Sequence, residues 1–288
     1  MAGKGRKGVA FAALFLAACS AAPAREAVRG EPTFVSLNPC IDAILAEVAD
    51  PRQILALSAY SSDPASSSMD METARRFPAV GGTVEEVLAL RPDVVLDGTY
   101  TPPATHNALS GLHFRLEQIG IATTVDDSRK QVRRIAELAG HPERGEALVG
   151  RIDAALAKAA PPPGPAVSAI VWQSGGIVPG RDTLISDLLQ RTGFRNAAAD
   201  RGMRQADILP LEEMIAFPPR VILAAGSPAA EEDRLLRHPA LAALKNTRRE
   251  RLDPALLWCG GPTIVRAAER LAEVRRGLGQ TSTGGPAS

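Results

Sequence analysis

The amino-acid sequence is poor in aromatic residues and has no surplus of either charge. Aromatic side chains make up only 4% of its 288 residues. Lysine and arginine together number 33 against 32 aspartate and glutamate residues, which leaves no positive excess to neutralise a nucleic-acid backbone. After residue 20, no apolar run reaches the roughly 18 residues of a transmembrane helix. The composition therefore argues against a nucleic-acid-binding protein and against further membrane spans.

Motifs for catalysis and for metal binding are also missing. The sequence contains no GxSxG and no HExxH, and Ser174-Gly175-Gly176 is not the GxGxxG fingerprint of a dinucleotide site. The histidines show no i,i+4 pair that would place two imidazoles on one helix face. We therefore predict neither a catalytic nor a metal site. The histidines are His106, His113, His141 and His238.

Cysteine is scarce, with three in the chain, and the first lies in a targeting segment. Basic residues at positions 4, 6 and 7 precede an apolar stretch over residues 9–18, the pattern of a signal peptide. Leu16-Ala17-Ala18-Cys19 resembles the bacterial lipobox, in which the cysteine is acylated and becomes the first mature residue. We predict a lipoprotein signal peptide over residues 1–18, lipidation of Cys19 and a flexible tether over residues 19–32. A soluble secreted protein with an incidental cysteine is the alternative.

A unit of helix, proline and strand occurs twice and organises the rest of the chain. In the first copy, residues 81–96, a helical pattern stops at Pro92 and an apolar strand follows. The second copy, residues 209–223, has the same order. Glu85-Glu86 and Glu212-Glu213 lie near the two helix starts. Two copies so far apart predict two similar lobes, each with an acidic helix start.

The alternation of helical and strand patterns predicts an α/β fold with parallel sheets. We expect two α/β lobes, residues 33–140 and 166–279, joined by one long helix over residues 141–160. Within the first lobe, the pattern predicts a helix over residues 109–119 and a strand over residues 122–125. In such sheets ligands bind beyond the carboxyl ends of the strands, so the loops there are the candidate site.

The remaining cysteines, Cys40 and Cys259, follow predicted strands of different lobes. An even pair in an oxidising compartment suggests a disulfide, which would tie the lobes together. Two buried free thiols and two thiolates that bind a soft metal are the alternatives.

An ordered set of motifs over residues 33–277 resembles the periplasmic substrate-binding proteins of ABC importers for cobalamin and iron siderophores. The resemblance implies two Rossmann-like lobes on a rigid backbone helix, a ligand between them and little hinge motion. It also implies a monomer in the periplasm or cell envelope that makes and breaks no bond, so an enzyme is not expected. The motifs are VSLNPCIDAIL, ILALSAYSSDP, VGGTVEEVLALRPDVVL, DLLQRTGFRNAAAD, LPLEEMIAFPPRVIL and GPTIVRAAERLA.

The same resemblance implies one acidic residue per lobe that pairs with arginines of an ABC permease in the inner membrane. Matched by motif, these are Glu85 and Glu212, the first glutamate of each pair. Plain first-turn helix residues are the alternative interpretation. Carboxylates on both lobes would fix the orientation of docking and raise the association rate more than the affinity.

Spacing around EEVLALRPD is most similar to that of the vitamin B12 binder within the family. Its aromatic cage positions fall on Asp63, Ala79 and Gly98 here, so other aromatic residues have to form the walls. Aromatic faces and hydroxyl groups suit a corrinoid, whereas a ferric siderophore or heme would need arginines for its anionic oxygens. The candidate ligand-binding residues are Asn38, Tyr60, Ser61, Tyr100, Trp172, Arg181, Arg201 and Trp258.

We therefore predict a lipid-anchored binding protein that captures a metal chelate and delivers it to the permease. Cobalamin or another corrinoid is the first choice of ligand, with a ferric siderophore or heme next, and none is held covalently. A free zinc or manganese binding protein of a related importer class stays open. A non-transport envelope lipoprotein and an enzyme are the alternatives from other classes.

Overall fold

The computed structural model describes residues 30–226 and 238–280. Within them the chain forms two α/β lobes, each built on a parallel sheet, with a long helix between the lobes. The predicted fold class, two Rossmann-like lobes joined by a long helix, is therefore confirmed.

The first lobe contains a parallel sheet with helices between successive strands. The strands are β1 (Phe34–Ser36), β2 (Ile54–Ser58), β3 (Ala79–Val80), β4 (Val94–Gly98) and β5 (Leu116–Ile119). Their order across the sheet is β3-β2-β1-β4-β5. The helices are α1 (Pro39–Val48), α2 (Met71–Ala74), α3 (Val84–Leu90), α4 (Pro103–Gly111) and α5 (Val125–Ala139).

The second lobe has a parallel sheet and a short antiparallel pair beside it. Its strands are β6 (Val167–Gln173), β7 (Ile177–Pro179), β8 (Phe194–Asn196), β9 (Ala206–Ile208), β10 (Val221–Ala225) and β11 (Arg248–Arg251). The parallel sheet has the order β11-β10-β6-β8, and β7 pairs with β9. The helices are α7 (Leu184–Arg191), α8 (Leu211–Ala216), α9 (Pro239–Ala242) and α10 (Thr263–Gln280).

The connecting helix α6 (Pro142–Ala159) packs against helices of both lobes. Its apolar stripe, which includes Leu148 and Ile152, belongs to the same buried cluster as Phe34 of the first sheet and Leu223 of the second. Because the two lobes share this core, a large hinge motion would have to open buried apolar surface. The rigid backbone helix implied by the resemblance agrees with this packing.

The repeated helix-proline-strand unit is present in both lobes. In the first lobe α3 ends at Leu90, Pro92 follows, and β4 begins at Val94. In the second lobe α8 gives way to Pro218-Pro219 before β10. The start of α3 is fixed by a capping box, in which Thr83 and Glu86 exchange side chain to backbone hydrogen bonds.

The segment that follows β4 differs from the prediction. The helix begins earlier and ends at Gly111 instead of spanning residues 109–119, because Pro103 suits the first turn and His113 adopts a left-handed φ of 62°. Leu116 then pairs with Val95, so the strand is β5 and residues 122–125 form no strand. The local apolar pattern fitted both structures, and pairing with β4 decided between them.

Candidate functional site

A pocket of about 600 Å³ lies at the carboxyl edge of the first sheet, within the size range of small-molecule sites. Asn38, Tyr60 and Tyr100 follow β1, β2 and β4 and line this pocket from the first lobe. Trp258, from the loop before α10, lines it from the second lobe. Tyr60, Tyr100 and Trp258 are 60%, 81% and 48% exposed, so their rings are accessible. The structure therefore brings together four of the eight predicted ligand-binding residues.

Asn38 holds its place through hydrogen bonds at the start of α1. Its Oδ1 accepts the N–H groups of Cys40, at 2.9 Å, and Ile41, at 3.3 Å. Its Nδ2 lies close to Gly98, where an added Cβ would come within 2.4 Å of that nitrogen. Gly98 therefore leaves the space that the Asn38 side chain occupies.

The cysteines of the two lobes meet beside this pocket. Cys40, near the start of α1, is bonded to Cys259, the residue after Trp258, with a Cα–Cα distance of 4.9 Å. Of the three alternatives for these cysteines, the structure contains the disulfide. The bond joins residues 219 positions apart and ties the loop of Trp258 to the first-lobe wall.

The turn that carries Tyr60 is built over a buried carboxyl group. Asp42 of α1 is fully buried, and its Oδ2 accepts hydrogen bonds from the Ser58 N–H at 2.9 Å and the Ser61 Oγ at 2.6 Å. Burial raises the pKa of Asp42 from 3.8 to about 7, although hydrogen bonds from serines favour the charged form. Ser61, predicted to contact ligand, does not line the 600 Å³ pocket, because its hydroxyl is buried and engaged with Asp42.

Trp172 also requires a correction. It lies in β6, is 0% exposed and packs with Ile170, Met214 and Ile222 in the core of the second lobe, so it forms no wall of the cleft. Both faces of β6 are buried, since Val171 packs in one apolar cluster and Trp172 in the other, so neither face of this strand opens to the cleft.

Two exposed isoleucines of the second lobe were not singled out by the sequence interpretation. Ile177 of β7 and Ile208 of β9 oppose each other across the antiparallel pair and are 38% and 70% exposed. The pair starts just after the carboxyl end of β6, so β7 lies at one of the strand-end loops predicted to form the site. Gly175 and Gly176, with φ of 74° and 81°, turn the chain into β7. Those glycines are the sequence signal that could have suggested a hairpin.

The predicted arginines lie apart from the aromatic pocket. Arg201 donates to the carbonyl oxygens of Ala197 and Phe217, which satisfies its guanidinium within the second lobe. Arg181 lines a different pocket of about 520 Å³, formed mainly by the second lobe with a contribution from residues 123–124. In the described residues, the lining of the aromatic pocket includes no lysine or arginine.

The two glutamates predicted to dock the permease are both exposed. The structure explains why Glu85 and not Glu86 is available in the first pair. Glu86 accepts the N–H groups of Gly81 and Thr83 and so serves the helix cap, which lowers the pKa of its carboxyl group. Neither the Glu85 nor the Glu212 carboxylate forms a hydrogen bond or ion pair with another described residue.

Two of the histidines lie against polar side chains of other residues. His106 Nδ1 lies 2.7 Å from Asp97 Oδ2, and His141 Nε2 lies 3.2 Å from Gln53 Oε1. In the described parts of the chain, no three histidine, cysteine or acidic side chains group together as a metal site would require.

Several predictions concern the N-terminal residues. The signal peptide, the lipidation of Cys19 and the tether up to residue 29 lie outside the described residues. Among the described residues, no helix has the length and hydropathy of a membrane span.

Two α/β lobes with a ligand-sized pocket at their junction define a two-lobed binding protein. The chain belongs to the periplasmic binding protein family, whose sequence profile matches residues 34–256. It is thus a substrate-binding protein of the kind that serves ABC importers, as the motifs indicated. No curated protein matches the chain.

Solved structures with the same fold include binding proteins for two kinds of tetrapyrrole. The periplasmic heme-binding protein RhuT from Roseiflexus sp. RS-1, in apo form, has a TM-score of 0.69 and 23% identity over 88% of this chain and 100% of that chain. A periplasmic heme-binding protein from Pseudomonas aeruginosa has a TM-score of 0.66 and 22% identity over 85% of this chain and 92% of that chain. The periplasmic vitamin B12 binding protein BtuF of Vibrio cholerae has a TM-score of 0.66 and 18% identity over 87% of this chain and 98% of that chain. At these identities the similarity shows the fold.

Proposed function

We propose that this protein captures a corrinoid, cobalamin first, in the cleft between its lobes and delivers it to an ABC permease. The observation that carries the proposal is the chemistry of the 600 Å³ pocket. Its aromatic and polar side chains are neutral, and no cation lies among its described lining residues.

This chemistry suits a chelate whose periphery is apolar and amide-bearing. The faces of Tyr60, Tyr100 and Trp258 offer broad apolar contact, and their polar tips can hydrogen-bond at the same time. Asn38 Nδ2 and the tyrosine hydroxyls can donate hydrogen bonds to the amide oxygens of such a ligand. An anionic ferric siderophore would be better matched by guanidinium groups, but Arg201 is engaged elsewhere and Arg181 faces another pocket.

Heme is the second candidate, because two exposed phenol groups line the pocket. A tyrosine oxygen is one of the axial ligands that proteins supply to heme iron. Tyr60 and Tyr100 are the tyrosines available for that role. Two of the solved structures named above are of heme-binding proteins.

Delivery to the permease completes the proposal. We propose that Glu85 and Glu212, one exposed carboxylate on each lobe, pair with basic residues of the permease and set the docking orientation. Acylation of Cys19 would hold the protein, as a monomer in the periplasm, near that partner through the tether. More than one acyl chain on this cysteine would anchor it stably.

Calorimetry with a panel of chelates tests the ligand. The panel contains cobalamin, cobinamide, heme, a ferric hydroxamate siderophore and free zinc. We expect corrinoids to bind at micromolar or lower concentration and the ferric siderophore and zinc to give no heat. Binding of heme with no corrinoid binding would replace the first candidate with the second. Silence of every chelate would refute the proposed function.

Truncation of the aromatic walls should weaken ligand binding at three positions. Trp258→Ala, Tyr60→Ala and Tyr100→Ala should each lower affinity about 10-fold or more, because each removes an accessible ring from the pocket. Trp172→Phe is the control. Because Trp172 is buried in the second-lobe core, this substitution should leave ligand affinity unchanged. Equal affinities for all four variants would show that the chelate binds elsewhere. Titration by calorimetry or by the absorbance of the chelate measures the effect.

A further inference from the structure

The Cys40–Cys259 disulfide lies in the wall of the ligand pocket. Cys40 lines the 600 Å³ pocket beside Asn38 and Tyr100. Both cysteines line a smaller adjoining pocket of about 120 Å³, and Trp258 lines both pockets. The bond therefore connects the two walls that a ligand would contact.

The two lobes are also held together by contacts that do not involve this bond. The Gly261 N–H donates to Ser128 Oγ at 2.7 Å, and Ser68 Oγ donates to the Ala255 carbonyl at 2.6 Å. Both hydrogen bonds cross between the lobes, and the buried apolar cluster is continuous through α6. Because these contacts persist without the bond, we expect both lobes to stay folded when it is broken.

The side chain of Trp258 depends more directly on the disulfide. Trp258 is half-exposed, and the neighbouring sulfur bond ties its loop to α1. We propose that the disulfide is a positioning element of the ligand site, which holds Trp258 against the first-lobe wall, so that its reduction weakens chelate binding without unfolding the lobes. The expected effect on chelate binding rests on the proposed function. The expected effect on the position of Trp258 does not.

The redox step is a dithiol–disulfide exchange. A thiolate of the dithiol attacks Cys40 Sγ, because Cys40 is partly exposed whereas Cys259 is 3% exposed. Cys259 leaves as a thiolate and takes up a proton. The second thiol of the reductant then releases Cys40 and closes its own disulfide. Two electrons and two protons pass from the dithiol to the protein. A ligand in the pocket would cover Cys40, so bound chelate should slow the reduction.

Removal of the disulfide should weaken ligand binding by about 10-fold or more. The double variant Cys40→Ser with Cys259→Ser is compared with the oxidised wild-type protein, so that no reductant acts on the metal of the chelate. The same change in a Trp258→Ala background should have little further effect, because the indole it positions is already absent. Equal affinities with and without the disulfide in the wild-type background would overturn the proposal.

Tryptophan fluorescence gives a second readout that needs no ligand. The sequence has two tryptophans, and Trp172 is fully buried, so acrylamide quenching reports mainly on Trp258. We expect quenching to increase when the disulfide is absent, with circular dichroism unchanged. Unchanged quenching would refute the positioning role. If the double variant does not fold, the dithiol-reduced wild-type protein is measured in the same way. If no chelate binds the oxidised protein, the proposed function fails, and quenching alone decides the positioning role.

Discussion

Reversal of both docking charges, Glu85→Lys with Glu212→Lys, should lower uptake of the chelate by about 100-fold or more and leave its affinity unchanged. Each exposed carboxylate is proposed to face a basic residue of the permease, and placing like charges together in an interface costs several kcal/mol. At about 1.4 kcal/mol per factor of ten, the two positions together account for a loss of this size. Uptake is measured with the permease in proteoliposomes, and affinity by calorimetry on the isolated binding protein.

The matched control is Glu72→Lys with Glu269→Lys. These glutamates are also exposed, one in each lobe, and the double change alters net charge by the same amount. The control should retain uptake if position and not total charge sets docking. Normal uptake by the Glu85 and Glu212 variant would refute the docking role, whereas an equal loss in both variants would indicate nonspecific charge steering.

Replacement of Asp42 by asparagine should remove a pH dependence of stability that runs opposite to ordinary acid denaturation. Burial raises the pKa of this carboxyl group from 3.8 in the unfolded chain to about 7 in the fold. Below about pH 4 the group is protonated in both states and costs nothing. As the pH rises towards 7, the unfolded chain gains stability from ionisation that the folded protein does not share. The wild-type protein therefore loses up to roughly 4 kcal/mol across this window, at about 1.36 kcal/mol per pKa unit.

The variant Asp42→Asn mimics the protonated form. Its side-chain oxygen can still accept the hydrogen bonds from Ser58 and Ser61. It should match the wild-type protein near pH 4 and exceed its stability at pH 8, as measured by urea unfolding over this range. Asp63→Asn is an informative control, because hydrogen bonds with Ser66 and Ala65 lower the pKa of the exposed Asp63 carboxyl group. The contribution of Asp63 to stability therefore changes with pH in the opposite direction to that of Asp42. Parallel stability profiles for Asp42→Asn and the wild-type protein would contradict the raised pKa.

Local chemistry made parts of the site predictable. The spacing Thr83-x-x-Glu86 is a capping box that can be recognised in the sequence, and it leaves Glu85 as the free carboxylate of its pair. Because loops at the carboxyl ends of parallel strands lie at one edge of a sheet, the sequence pattern alone predicts that Asn38, Tyr60 and Tyr100 lie near one another. In each case a short segment and a general rule of α/β folds were sufficient.

Other parts depended on information that no short segment holds. Trp172 lies near the carboxyl end of an apolar strand, and only the packing of the second lobe shows that its ring belongs to the core and not to the cleft. The arginines had suitable loops, but the partners that engage Arg201 lie 4 and 16 residues away in the chain and meet it only in the fold. The exposed pair of Ile177 and Ile208 likewise exists only because β7 and β9 are antiparallel neighbours.

By itself, the sequence determined the two α/β lobes, the helix between them and the repeated proline-stopped units, because periodicity and backbone restrictions act over a few residues. The order of the motifs likewise indicated the protein family, and this prediction is confirmed. The tertiary structure alone decided which side chains face the pocket, which cations are already engaged and how Cys40 meets Cys259. Those outcomes follow from side-chain direction and from contacts between residues as many as 219 positions apart, and neither is encoded in local pattern.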